Sequence, residues 1–204
     1  MKGLTDSENI GLQIKFENME ITHRTELVGL LEFYDLPMIA AEIGVAEGYN
    51  SADMLRSGLD KLFMIDAWTT LDQKGDGAFS QEWHDANYQK AVDRVKVFGE
   101  KAVILKGLSD EMCNQVADNS LGLLYLDGDH SYDGVMKDLK NWSSKVVEGG
   151  IIAGHDYLNR AYGVYQAVHD FTEGLVEVHL IPEHKHDDAG FYFRKQTKKD
   201  ADSV

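Results

Sequence analysis

The strongest constraint on this chain is a rhythm. Short apolar runs at 38–43, 61–65, 102–105, 121–126 and 150–153 alternate with longer stretches of helical periodicity. Short apolar runs closed by glycine or aspartate read as buried strands; apolar positions recurring three and four apart read as helices. The spacing predicts helices over 21–34, 51–57, 81–98, 134–147 and 161–171. In the first, Leu27, Leu30, Leu31 and Tyr34 share a face, and Pro37 separates it from the next strand. In the fourth, Val135, Leu139, Trp142 and Val146 do the same. Strands joined through helices make right-handed crossovers onto a parallel sheet. The last two predicted strands, 175–181 and 190–193, are joined by a connection too short for a crossover helix and form an antiparallel hairpin. The fold class is α/β, a mostly parallel sheet with one antiparallel edge.

Composition narrows the function. Thirty-five acidic residues against 20 basic ones give a net charge of −15. Nucleic-acid binding needs cations that displace counterions from phosphates, so no nucleic-acid partner is expected. Anionic lipid is disfavoured for the same reason. No apolar stretch is long enough to span a membrane, and the N-terminal residues lack the apolar core of a secretory leader. Cys113 is the single cysteine, which excludes an internal disulfide and fits a cytoplasmic location. The expectation is an enzyme acting on a small molecule. Residues 1–36 are expected to form a helical extension that caps the site or makes a homodimer. Residues 37–195 form the sheet domain, and 196–204 a polar, disordered tail.

Ligands of open α/β sheets bind beyond the carboxyl ends of the strands. Asp66, Asp127, Asp129 and Asp156 each follow a predicted strand. The first strand runs into Glu42-Ile43-Gly44-Val45-Ala46-Glu47-Gly48. This E-x-G-x-x-x-G loop differs from the dinucleotide fingerprint, and its carboxylate suits a cationic or amino-bearing ligand better than a pyrophosphate. Asp66, closing the second strand, is placed to accept the hydroxyls of a ribose.

On these residues the chain resembles the class I S-adenosylmethionine-dependent methyltransferases. AEIGVAEGYNSADML is similar to their first motif and FMIDAW to their second. LLYLDGDHSYDGVMKDLKNW followed by VEGGIIAGHDY resembles the methyltransferase domain 24 subgroup, which includes macrocin-type sugar O-methyltransferases. The resemblance implies a Rossmann-like seven-stranded sheet in the order 3-2-1-4-5-7-6, with helices on both faces. It implies that Glu42, Gly44 and Gly48 line the methionine part of S-adenosyl-L-methionine. Asp66 would then hold the ribose beside Ala67 and Trp68, Ser109 would lie near the adenine, and Asp127 would face the sulfonium. It further implies a divalent cation, magnesium, manganese or another, on Asp127, His155 and Asp156. The sugar O-methyltransferases carry an acid where this chain has His155.

Methyl transfer aligns a nucleophile with the donor and removes its proton. Asp129 and His130 are the candidate bases, with Asp127 the third catalytic candidate; histidine titrates close to neutrality. The segment between strands two and three carries Trp68, Trp83, His84 and Tyr88, an aromatic set suited to a lid over the acceptor. Arg160, after strand five, would favour an acceptor with a carboxylate or phosphate. The string His184–Asp188 reads as a solvated loop. Two other functions use the same residues: a metal-dependent hydrolase or lyase, and a binding protein with a vestigial pocket.

Overall fold

A computed structural model describes residues 21–70, 79–174, 176–182 and 189–196. Its sheet has seven strands, β1 (Ile39–Ile43), β2 (Lys61–Asp66), β3 (Ala102–Lys106), β4 (Leu121–Leu126), β5 (Val146–Gly154), β6 (His179–Ile181) and β7 (Gly190–Arg194). They lie in the order β3-β2-β1-β4-β5-β7-β6. The first five pair in parallel, and β7 runs antiparallel to both β5 and β6. The α-helices are α1 (Leu27–Phe33), α2 (Tyr49–Arg56), α3 (Gln81–Val95), α4 (Ser109–Met112), α5 (Tyr132–Trp142) and α6 (Val164–Thr172). No helix among the described residues is long and apolar enough to cross a membrane.

The two faces follow from the period of a strand. Successive side chains of β4 point to opposite sides. Leu123 and Tyr125 join Ala40, Leu62 and Met64 beneath α1, α2 and α3. Leu124 and Leu126 join Ala41, Ile43 and Ile65 beneath α5 and α6. Both layers exclude water nearly completely: Leu123, Leu124, Trp142 and Phe191 have no measurable exposure. Residues 21–36 are not set apart from the sheet domain. Ile21, Leu27 and Leu31 pack into the same core as β1 and β4.

Several predicted boundaries move for physical reasons. The helix expected over 134–147 starts earlier, where the Ser131 hydroxyl accepts from the Gly134 N–H. It ends at Trp142, and a 3-10 turn over Ser143–Lys145 leads into β5, which starts at Val146 rather than residue 150. Val146 pairs with Leu121, but Ile151 already pairs with Leu123, so β5 bulges between them around Gly149 at φ 72°. The helix expected over 81–98 stops at Val95, and the 3-10 segment after it contains Gly99 at φ 57°. The strand expected over 175–181 is regular only from His179. Residues 183–188, with the histidine string, and 197–204 of the predicted tail lie outside the described residues.

Two features of the β1 end decide how the sheet presents its loops. Gly44 sits at φ 85°, and a Cβ there would lie 2.1 Å from the Asp127 carbonyl oxygen. Such an overlap is with backbone, so no side-chain rotation relieves it. Gly48, at φ 74°, would place a Cβ 3.2 Å from Ala91 on α3. The second feature is Glu42, 1% exposed on the α2 face of the sheet. The Asn50 amide donates to it at 2.9 Å, and the Ser51 hydroxyl also donates to it. Burial pushes its carboxyl up to about 8, against the pull of the two hydrogen bonds.

These features give two expectations. Gly44→Ala should cost more than about 3 kcal/mol, since a backbone must move, and Gly48→Ala about 1–2 kcal/mol. Urea denaturation reads both; equal small losses would show that the β1 and β4 ends separate freely. For Glu42, the unfolded carboxyl ionises near its ordinary 4.5 while the native one holds its proton to about 8. The native state then binds more protons across that window, so stability falls as pH rises through it. Glu42→Gln, which keeps a neutral partner for Ser51, should gain on the parent from pH 5 to pH 8, reaching a few kcal/mol on the order-of-magnitude scale of one kcal/mol or so per pH unit. An offset independent of pH would contradict this.

Candidate functional site

The parallel ladder carries past the strand ends and sets their loops side by side. The Gly44 N–H donates to the Ile65 carbonyl at 2.9 Å, the Gly107 N–H to Asp66 at 2.9 Å, and the Asp127 N–H to Ile43 at 2.8 Å. The His155 N–H donates to Leu126 at 3.1 Å. The loops after β1, β2, β3, β4 and β5 therefore meet along one edge. A cleft of about 730 Å³ opens there, within the size range of small-molecule sites.

Of the predicted residues, Gly44, Asp66, Ala67, Trp68, Ser109, Asp127, Asp129 and His130 line this cleft. Glu42, Gly48, His155 and Asp156 do not. Glu42 is sealed behind β1 against α2, and Gly48 serves the approach of α3. Asp66 is turned onto the glycine loop. Its Oδ2 accepts from the Val45 N–H at 3.0 Å and the Ala46 N–H at 2.8 Å, and its Oδ1 from the Trp68 N–H at 2.8 Å. A carboxylate offers about four lone-pair positions, so one remains for a ligand hydroxyl. The Trp68 indole donates to the Ala46 carbonyl at 2.9 Å, which pins the loop from its other side.

The acids and histidines after β4 and β5 converge, though not as the sequence suggests. Asp127, His130 and Asp156 bring one ligand atom each to within 4.8 Å of one another. His130 Nε2 lies 3.3 Å from Asp127 and 3.1 Å from Asp156. His155, expected in that set, instead places its Nδ1 3.0 Å from Asp156 Oδ2, the oxygen that His130 also approaches. Asp156 has φ 57°, an uncommon conformation for a residue with a side chain and one that turns the chain sharply after β5. Burial opposes its ionisation. The His155 hydrogen bond and the nearby His130 and His155 outweigh that and hold the carboxyl below its usual range. Carboxylates plus an imidazole suit manganese, iron or zinc, and the set is compact enough for one ion.

Several wall residues escape a reading based on strand ends. Asp138, 7% exposed, accepts from the Ser109 hydroxyl, which itself accepts from the Trp142 indole at 2.9 Å. Burial raises its carboxyl to about 6. Its signal was an acid on the apolar face marked by Val135, Leu139 and Trp142. Lys137 reaches Asp110 at 2.7 Å. The aromatic segment after β2 does reach the site: Phe79, Trp83 and His84 line the cleft, whereas Tyr88 packs edge-on against Trp68 behind it. His84 is 7% exposed, and its Nε2 is buried with no partner. Tyr162 stacks on the His130 ring at 4.9 Å. Arg160 is exposed and off the cleft wall.

Comparison with known proteins gives the fold and the family. No curated protein matches the chain. The O-methyltransferase NovP shares the fold with a TM-score of 0.62 at 18% identity, over 85% of this chain and 78% of that one. An O-methyltransferase from Bacillus cereus, solved in complex with SAH, gives 0.59 at 13% identity over 94% and 92%. A methyltransferase from Geobacter sulfurreducens gives 0.58 at 13% identity over 97% and 92%. A family model described as a methyltransferase domain matches residues 41–157, the stretch that carries the glycine loop, Asp66 and the β4 and β5 ends. The chain belongs to that family, the methyltransferase domain 24 group of class I S-adenosylmethionine-dependent methyltransferases.

Proposed function

We propose that the protein transfers the methyl group of S-adenosylmethionine to a hydroxyl of a small molecule in the cytoplasm, with a divalent cation on Asp127, His130 and Asp156. The observation that carries this reading is the convergence of those three side chains beside a cleft floored by Gly44. The residues suit the donor: the floor is bare backbone at Gly44 and Gly128, and Asp66 keeps an acceptor position for its ribose. Ser109, its hydroxyl held between Asp138 and the Trp142 indole, stands on the wall where the base would lie. Bound in the triad, a cation would lower the pKa of an acceptor hydroxyl.

The chain's own residues do the rest. The cleft walls hold the acceptor oxygen in line with the donor methyl, and the loops around Gly44 and Asp127 fix the donor. His155, hydrogen-bonded to Asp156 Oδ2, orients that carboxylate. With His130 engaged as a ligand, Asp129 on the wall is the carboxylate that receives the acceptor's proton. The new carbon–oxygen bond forms as the carbon–sulfur bond breaks, and the proton passes from Asp129 to water.

Isothermal titration with S-adenosylhomocysteine tests the donor. The unaltered protein should bind it, and Asp66→Ala should bind at least about tenfold more weakly, having lost both the ribose partner and the anchor of the loop. Silence from the unaltered protein at millimolar ligand would remove the reading. Asp127→Ala should leave that affinity within about threefold and lower turnover by about a hundredfold or more. EDTA should abolish turnover, and manganese or magnesium should restore it; full activity in EDTA would separate the chemistry from the metal.

A further inference from the structure

Among the described residues, one side chain of the cleft wall has a polar atom that is both sealed from water and unpaired. It is His84, 7% exposed, whose Nε2 has no hydrogen-bond partner. Buried polar atoms in folded proteins nearly always have a partner, because an unpaired one gives up its bond to water and gains nothing in return. The Trp83 ring stands edge-on to the imidazole, with centroids 5.0 Å apart and planes at 89°, and limits how far it can turn to find one. On the wall of a cleft, such an atom marks where a ligand supplies the missing partner.

The helix that carries His84 is fastened along the donor's side of the cleft. α3 buries His84, Asn87, Ala91 and Val95 on one face. Ala91 abuts Gly48, at the close of the glycine loop, and lies two turns or about 10 Å beyond His84. One turn before His84, Gln81 Nε2 donates to the Trp68 carbonyl at 3.1 Å, while the Trp68 indole reaches the Ala46 carbonyl. His84 therefore borders the stretch of wall made by Trp68, Ala46 and Asp66. Asp66 has already filled three of its roughly four lone-pair positions with the N–H groups of Val45, Ala46 and Trp68. A ribose brings two adjacent hydroxyls. The position left on Asp66 accepts from one of them, and the other enters the cleft without a partner.

We propose that His84 is a second ribose-binding residue of the methyl-donor site, its Nε2 taking the hydroxyl that Asp66 leaves over. This rests on the methyl-transfer reading above and adds a binding residue to it. A hydroxyl both donates and accepts, and Nε2 does either according to the tautomer, so the pair forms without a charge on the ring. A diol held at both hydroxyls cannot turn about either bond, which presents the donor's methyl in one direction. The unpaired nitrogen destabilises the ligand-free protein, and the bound donor removes that penalty.

Calorimetry with S-adenosylhomocysteine and with its 2′-deoxy and 3′-deoxy analogues tests this on the unaltered protein, His84→Leu and His84→Gln. His84→Leu should bind S-adenosylhomocysteine about tenfold more weakly. The unaltered protein should lose affinity on removal of either hydroxyl. His84→Leu should be indifferent, within about twofold, to the loss of one of them and still respond to the loss of the other. His84→Gln, which keeps a hydrogen-bonding group at similar reach, should recover part of the tenfold. Without ligand, His84→Leu should melt at or above the temperature of the unaltered protein, since no buried nitrogen is left unpaired; removal of a residue that only holds the fold would lower it. If the unaltered protein does not bind S-adenosylhomocysteine, the methyl-transfer reading itself fails. If it binds, the proposal is overturned by unchanged affinity in His84→Leu, by equal losses on all three ligands, by a His84→Gln no tighter than His84→Leu, or by ligand-free melting several degrees lower in both variants.

Discussion

The ends of β1 and β4 touch backbone to backbone, and the site depends on that contact. Gly44 lies against the Asp127 carbonyl with no room for a Cβ, while the Asp127 N–H is bound by Ile43. Parallel strands bury both faces of the sheet and leave their ends as the place where polar chain can gather. Here that gathering is tight because the loop after β1 has no side chain at its closest point. Wedge the two ends apart, and Asp127 leaves His130 and Asp156 at the same moment that the cleft loses its floor.

Asp66 completes the arrangement from the next strand. The carboxylate spans from β2 to the loop after β1 and binds the N–H groups of Val45 and Ala46, which otherwise have no strand partner. It also holds Trp68, whose indole returns to Ala46. The loop is thus built before any ligand arrives, which lowers the ordering entropy that binding must overcome. An acid at this position serves the scaffold and the ligand together, so its removal cannot be read as the loss of one hydrogen bond.

The strands, their order and the meeting of their ends were legible in the sequence because apolar runs and their spacing report burial directly. Asp66, Asp127, Asp129 and His130 were legible for the same reason: each follows a run at a fixed offset. The direction of a side chain at a turn was not. Glu42 belongs to β1 itself, and the strand period sends it to the α2 face, away from the cleft. Gly48 reads as part of a ligand loop, but its bareness serves Ala91, a partner far along the chain. The exchange of His155 for His130 in the triad follows from the left-handed turn at Asp156, which no residue type announces. Asp138 comes from a helix, and a reading of strand ends passes over it; His84, also on a helix, was reached only through the aromatic character of its segment.

The four most closely described acids show how environment divides one chemical group into several tasks. Glu42 has a buried site with two neutral donors, and desolvation wins: the proton stays. Asp138 is nearly as buried but meets Ser109 and neighbouring charges of both signs, and it settles between. Asp156 is buried too, yet two imidazoles lie against it and the balance reverses. Asp66 meets backbone N–H groups and becomes a brace. Sealed acids that keep their protons add nothing to the field in the cleft; those that lose them set it. The sign of that field is therefore fixed by which carboxylates have basic or N–H partners, and on this wall the partners of Asp127 and Asp129 are a histidine and a backbone N–H rather than lysine or arginine. Such partners fix where a carboxylate points, and on this wall both Asp127 and Asp129 are held facing whatever occupies the cleft.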